Sequence, residues 1–262
     1  MKKLAFCFLV YDRINHEELW NIFFQGVDPQ KYSIHIHYKH SIPLKYFEQY
    51  KLPHCIPTHH GHISLVKAQN LLFEEALKDP NISHCIILSN SCIPFKSFDK
   101  IYEFLHTEYS YINKGIKQHC FPRCTSVLYY IGPYYIEKSS QWNILNRKHA
   151  TIMVNDKDYI QWFTQIQCPD EHAYITKLNV LNLSHEVIFT ENQSNKATTF
   201  INWEGMDYKY VSQHDIKNYS SIANEELDYL LASPCLFGRK FLPECNLSYE
   251  PYINAIQSNS TS

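Results

Sequence analysis

Glycine is scarce in this chain, with six residues in 262. That argues against a fold built on repeated glycine-rich phosphate loops, which need positions without a Cβ. Arginine is scarcer still: Arg13, Arg123, Arg147 and Arg239 stand against twenty lysines. The lysine excess, with many Asn and Ile, is most simply explained by an AT-rich genome. Net charge is only −2, which argues against broad electrostatic capture of nucleic acid or of an anionic membrane. No apolar run approaches the ~20 residues of a membrane-spanning helix. No internal repeat is visible. Charged residues make up 19% and hydrophobic residues 45%, the balance of a globular protein rather than a disordered one. At 262 residues the chain can bury one large core without staples.

What is present begins with an apolar run from Leu4 to Val10, after Met1-Lys2-Lys3 and before Tyr11-Asp12-Arg13. The run resembles the start of a signal peptide, but no small-residue cleavage site follows, and a buried parallel strand fits it better. Nine cysteines are scattered along the chain. Their odd number, with no leader, predicts reduced thiols in a cytosol-like compartment. Cys120 and Cys124 form a C-x₃-C pair with no second pair at zinc spacing. Twenty tyrosines are an excess to which no role is assigned at this level.

The first half alternates strand and helix. Strands are predicted at 4–10, 32–37 and 85–88. Helices are predicted at 17–24, at 64–78 with Ser64 as cap, and at 98–106. The second half reads as a strand at 125–131, helices near 141–147, 157–166 and 224–231, and a turn at Pro169-Asp170-Glu171-His172. Strands alternating with helices predict an α/β fold, a mostly parallel central sheet flanked by helices, in a single domain over 1–255 with a polar tail at 256–262. Ligands in such sheets sit at the carboxyl ends of strands. That places Tyr11, His37-Tyr38-Lys39 and Ser89-Asn90-Ser91 on one pocket rim.

Several groups could carry chemistry. Asp170 and Glu171 could supply a general base in a partly dry cleft, or merely charge at a helix N-terminus. Arg239 and Lys240, after Gly238, could neutralise a diphosphate, or be a solvated basic turn. Asp156 and Asp158 form an acid-x-acid pair, the pattern that holds Mg²⁺ or Mn²⁺ in many nucleotide-sugar enzymes, but they also sit where a helix cap belongs. His35 and His37 share one face of a strand, with no nearby carboxylate to complete a metal site. Trp142 and Trp203 could stack on a sugar, or be core.

Taken together, these segments resemble the core-2/I-branching glycosyltransferases (family 14), which include animal β-1,6-N-acetylglucosaminyltransferases, protein O-xylosyltransferases, and plant and microbial relatives. Leu88 to Pro94 resembles the segment after the family's fourth core strand. Glu137 to Trp142 with Arg147-Lys148-His149-Ala150 resembles its KGSQW…R-HA block. Cys168 to His172, with Thr176, resembles its C-x-DEH…T block. Asn202-Trp203 matches an aromatic motif, and Leu236 to Phe241 resembles LFARKF. The resemblance implies a GT-A-type nucleotide-sugar transferase fold and a metal-independent, inverting transfer from a UDP-sugar to a glycan hydroxyl. It implies Glu171 as general base and Lys240, with Arg239, offsetting the UDP leaving group. It implies donor contacts at Tyr11 and Asn90, and acceptor contacts at Gln141, Trp142 and Asp170. No metal and no cofactor are implied beyond the UDP-sugar substrate. UDP-GlcNAc is the first expectation for the donor and UDP-xylose the second. The family's second basic residue, expected before the Asp215 region, has only Lys209 as a candidate. That motivates another reading, a carbohydrate-binding protein that kept the fold without turnover. A glycoside hydrolase using Asp170 and Glu171 is disfavoured, because adjacent carboxylates usually point apart.

Overall fold

The structure is a computed structural model that describes residues 2–115, 120, 122–190, 198–202 and 216–258, with backbone alone for 255–258. In chain order the elements are β1 (Lys3–Val10), α1 (Glu17–Phe24), β2 (Tyr32–Tyr38), α2 (Ser64–Ala76), β3 (Ile82–Ser89), β4 (Ile93–Pro94), α3 (Phe98–Phe104) and β5 (Ser110–Asn113). There follow β6 (Ile144–Asn146), α4 (Arg147–Asn155), α5 (Tyr159–Trp162), α6 (Ala173–Val180), β7 (Val187–Thr190), β8 (Thr199–Ile201), α7 (Asn224–Ala232), β9 (Phe237–Arg239) and α8 (Tyr249–Ser258).

β1 is apolar from Leu4 to Val10 because it lies between two parallel neighbours, β2 and β3, with both faces covered. The six-stranded sheet runs β2-β1-β3-β6-β5-β7. Only β6 is reversed, pairing antiparallel with β3 and β5. The α/β architecture and the mostly parallel sheet thus follow the sequence pattern.

Side chains alternate across the sheet as the pleat requires. Leu4, Phe6, Phe8 and Val10 point to one core, with Trp20, Phe23, Phe24 and Phe98 from α1 and α3. Ala5 and Cys7 point to the other, with Leu72, Phe73, Met153 and Tyr174 from α2, α4 and α6. The Phe6 ring meets Phe24 edge-on at 5.0 Å and Phe8 meets Trp20 the same way at 5.0 Å. Each such pair adds roughly 0.5–1.5 kcal/mol to the area it buries. The Trp20 indole N–H donates to the Cys92 carbonyl at 3.0 Å and fixes α1 against the loop after β3.

A second sheet, β4-β9-β8, packs a third core of Ile93, Phe95, Phe200, Tyr219 and Phe241. Gly238 lies in its middle strand, opposite Ile93 and Phe200. A Cβ there would fall 2.0 Å from the buried Phe95 ring. Only glycine admits that ring.

Five stretches differ from the sequence reading. Residues 125–131 are not a strand: Thr125–Tyr129 is a 3-10 turn, whose Leu128 and Tyr129 are exposed, so no face of it lines a sheet. Residues 141–147 are not helical: Ile144 and Leu145 alternate into the two cores as β6. The helix begins at Arg147, with the Asn146 side chain accepting the His149 N–H at 2.8 Å. The predicted helix at 157–166 shrinks to α5. Ser64 does not cap α2; its hydroxyl accepts the His59 N–H at 3.0 Å. At the C-terminus, α8 extends to Ser258, into the stretch expected as polar tail.

Candidate active site

The carboxyl ends of β1 and β3 converge on one side of the main sheet. Tyr11, just past β1, is 56% exposed; His40 packs edge-on to its ring at 5.0 Å and Lys39 Nζ lies 5.2 Å above it. Past β3, the loop Ser89-Asn90-Ser91 is stitched to the segment after β9 by Asn15. The Asn15 backbone N–H donates to the Asn90 carbonyl at 2.9 Å, and its side-chain amide donates to the Phe241 carbonyl at 2.7 Å. Asn90 in turn donates to the Asn15 side chain at 3.2 Å, and the Phe241 N–H donates to the Ser91 carbonyl at 2.9 Å. These bonds fix Arg239 and Lys240 beside the strand end.

Arg239 Nε donates to Ser89 Oγ at 3.2 Å, and its guanidinium stacks on the Trp142 ring at 4.2 Å. Burial lowers its pKa to about 10, so it stays cationic at neutral pH. Lys240 is half-buried, and burial, then the charge of Arg239, lowers its pKa. Asn90, Arg239, Lys240 and Trp142 are therefore one constellation, with Tyr11 on the same strand-end rim. Trp142 is buried in the main core, and its ring also carries the Arg239 guanidinium.

Glu171 closes the 3-10 turn Pro169–Glu171, which opens at Cys168 in the left-handed region (φ 55). The Cys168 N–H donates to the Gly61 carbonyl at 2.9 Å, and the Glu171 N–H to the Cys168 carbonyl at 3.0 Å. A non-glycine residue held left-handed stores strain, which its surroundings must offset. The Glu171 side chain is a quarter exposed, and one carboxylate oxygen takes two cations: Arg123 Nη1 at 2.9 Å and Lys138 Nζ at 3.3 Å. Asp170 turns inward: it is 8% exposed, one oxygen has no partner, and burial raises its pKa to about 7. His172 is fully buried and donates from Nδ1 to the Glu137 carbonyl at 2.9 Å; burial lowers its pKa.

The two halves of the site are joined by a short strip. The Ser139 N–H donates to the Glu171 carbonyl at 2.8 Å, and Trp142, three residues on, carries the Arg239 guanidinium. Three extended residues span at most about 11 Å. Gln141 lies between them, its amide nitrogen buried without a partner, as is the Asn143 oxygen.

Asp156 is drawn away to pair with Lys177 of α6, and Asp158, at the N-cap of α5, makes no side-chain cap bond. Among the described residues, no three His, Cys, Asp or Glu side chains converge as metal ligands. His37 is buried and accepts the Ile56 N–H at 3.0 Å, whereas His35 bonds Ser33. Trp203 and Lys209 lie outside the described residues. Sequence reasoning assigns no role to Arg123 or Asn15. Their signal was weak: Arg123 was only one of four arginines, and Asn15 one of many asparagines.

The family profile described as Core-2/I-Branching enzyme matches residues 4–230. Glycosyltransferase BC10 of Oryza sativa subsp. japonica is 26% identical over 169 residues, which is 62% of this chain and 42% of the rice protein. The chain therefore aligns with less than half of that relative's length. Among solved structures, an active-site mutant of LgtC superposes over 97% of this chain and 95% of that one, with a TM-score of 0.49 and 9% identity. Galactosyltransferase LgtC with donor and acceptor sugar analogues superposes with a TM-score of 0.46 and 8% identity over the same shares.

Proposed function

The chain belongs to the Core-2/I-Branching enzyme family, and we propose that it transfers a sugar from a UDP-sugar to a glycan hydroxyl, by inversion and without a metal, on a GT-A-type fold. The observation that carries this reading is the Ser139–Trp142 strip, which ties Glu171 to Arg239 and Lys240. A single displacement needs a base on the acceptor side and positive charge on the leaving-group side, a fixed distance apart.

Glu171 takes the proton from the acceptor hydroxyl as its oxygen attacks the anomeric carbon. The bond from that carbon to UDP breaks as the new bond forms. The charge left on the diphosphate meets Arg239 and Lys240, both partly desolvated, where a fixed cation is worth more than in water. Asn90 and Tyr11 line the donor side, and Gln141 and Trp142 the acceptor side. Asp170, mostly protonated below about pH 7, supports the turn beneath the acceptor without competing for its proton. UDP-GlcNAc is the first donor to test and UDP-xylose the second.

A UDP-release assay with a panel of UDP-sugars in excess EDTA tests the proposal. Turnover that persists in EDTA supports it; turnover that requires Mn²⁺ overturns the metal-free mechanism. One observation favours a second reading, a glycan-binding protein without turnover: Arg123 and Lys138 already occupy one oxygen of Glu171. Calorimetry with UDP separates the two, since a pure glycan binder shows no UDP heat.

A further inference from the structure

The excess of tyrosine finds a place in one loop. Arg123 and Lys138 ion-pair with the same oxygen of Glu171, so the chain between them leaves from that carboxylate and returns to it. Of eleven exposed large hydrophobic residues among those described, four lie in this loop: Leu128, Tyr129, Tyr130 and Tyr134. Tyr129 is 89% exposed and Tyr134 68%. Scattered exposed aromatics need no explanation, but four exposed apolar side chains within residues 128–134 of one loop are a local concentration that calls for one.

The loop is built, not loose. Val127 and Ile136 anchor it in the core, and the Asn179 amide donates to the Tyr135 carbonyl at 3.0 Å. Tyr134 and Tyr135 rings sit 4.0 Å apart, and Gly132 leaves room for the Tyr134 ring, which a Cβ would meet at 2.8 Å. The 3-10 turn Thr125–Tyr129, five residues rising about 10 Å, begins two residues after Arg123.

The chemistry of the crown selects its occupant. From Cys124 to Ile136 there is no charged residue. Such a surface supplies no cation to neutralise phosphate, so it favours neither nucleic acid nor an anionic membrane. A stable protein interface needs about 20–30 residues a side, far more than this crown supplies. Flat rings with a polar rim suit a neutral, polyhydroxylated ligand that stacks its C–H face on the ring and hydrogen-bonds the phenol.

We propose that Tyr129, Tyr130 and Tyr134 form a platform for a neutral oligosaccharide acceptor, binding sugar residues beyond the one that reacts at Glu171. This rests on the transferase reading above and deepens it. The acceptor is then a glycan chain, not a monosaccharide, and the loop couples the platform to the base through Arg123 and Lys138.

The test uses the full chain on an array of neutral glucose, galactose, mannose, xylose and N-acetylglucosamine oligomers, one to six residues long. It compares wild type with Tyr129→Ser/Tyr130→Ser/Tyr134→Ser, and with Gly132→Ala, which shifts the Tyr134 ring without deleting it. UDP calorimetry, melting and light scattering are run on the same samples. Wild type is expected to retain chains of three or more residues and not monosaccharides. The triple variant should retain at least about tenfold less, and Gly132→Ala an intermediate amount, with melting and UDP affinity unchanged. The platform is overturned if no array glycan is retained, if retention does not depend on chain length, or if the triple variant binds like wild type. It is also overturned if the substitutions instead dissolve a dimer. Loss of UDP binding in wild type would sink the transferase reading by itself.

Discussion

The Arg123 guanidinium lies 2.9 Å from the Glu171 carboxylate, across 48 residues of chain. Lys138 reaches the same oxygen from the other end of the tyrosine-crowned loop. One oxygen of Glu171 is thereby occupied. A carboxylate held so is fixed in place by two cations. The loop must give up part of this contact, or be offset by the acceptor, when proton transfer occurs.

Arg123 is therefore a positioning residue. Arg123→Gln should lower kcat about tenfold with little change in the KM for the UDP-sugar, and Arg123→Lys should recover part of the loss. Steady-state kinetics with both variants checks this. Equal losses in both, accompanied by a lower melting temperature, would mark Arg123 as structural only.

In the proposed mechanism Lys240 offsets the charge of the leaving group. Lys240→Ala should lower kcat by about 10²-fold and weaken UDP binding in calorimetry, because removing one preformed charge-stabilising group costs about that much. The half-buried lysine carries no fold-defining contact, so the melting temperature should stay within a few degrees. Unchanged UDP binding would remove Lys240 from the donor site.

Gly238 sets the position of Arg239 and Lys240. Gly238→Ala brings a methyl to 2.0 Å from the Phe95 ring, which is fully buried and has nowhere to move. The expected cost is about 1–3 kcal/mol or more, with activity lost alongside. Thermal melting reads it, and adding Phe95→Leu should restore part of the stability. An unaffected Gly238→Ala protein would contradict the packing described.

Buried histidines set the acid side of stability. Burial lowers His37 and His84 from 6.5 to about 4. Their folded pKa lies below the unfolded one, so the unfolded chain takes up more protons as pH falls. Their contribution is complete above pH 6.5 and is lost between 6.5 and about 4, on the order of a few kcal/mol in all. Asp170 acts in the opposite sense. Its pKa is raised to about 7, so the folded chain holds the extra proton, and stability is lost as pH rises from about 4 to 7. Melting curves from pH 4.5 to 8 check both. His84→Gln should flatten the acid limb, and Asp170→Asn should gain on wild type as pH rises.

The first half of the fold was legible because its signals are local. β1, α1 and β2 follow from alternation, helical spacing and turn residues, and their bounds agree with the sequence to within a residue or two. Residues 141–147 differ from the helix expected because only three of them, Ile144–Asn146, are extended, filling the gap between β3 and β5, too short a run to show alternation. The turn at Thr125–Tyr129 looked like a strand because Val, Leu and Tyr are strand formers; it has no partner to pair with. For the site, the motif residues Glu171, Arg239 and Lys240 were legible in order along the chain. What joins them was not: Asn15, Arg123 and the Arg239–Trp142 stack are contacts between distant segments of common residue types. Such contacts leave no local pattern.

The most direct test of the account is Glu171→Gln, read in transfer and UDP binding on the same preparation. The amide keeps the shape of the side chain and removes its capacity to take a proton. Transfer should fall by about 10²–10⁴-fold while UDP affinity stays within twofold of wild type. Transfer retained near the wild-type rate would show that Glu171 is not the base.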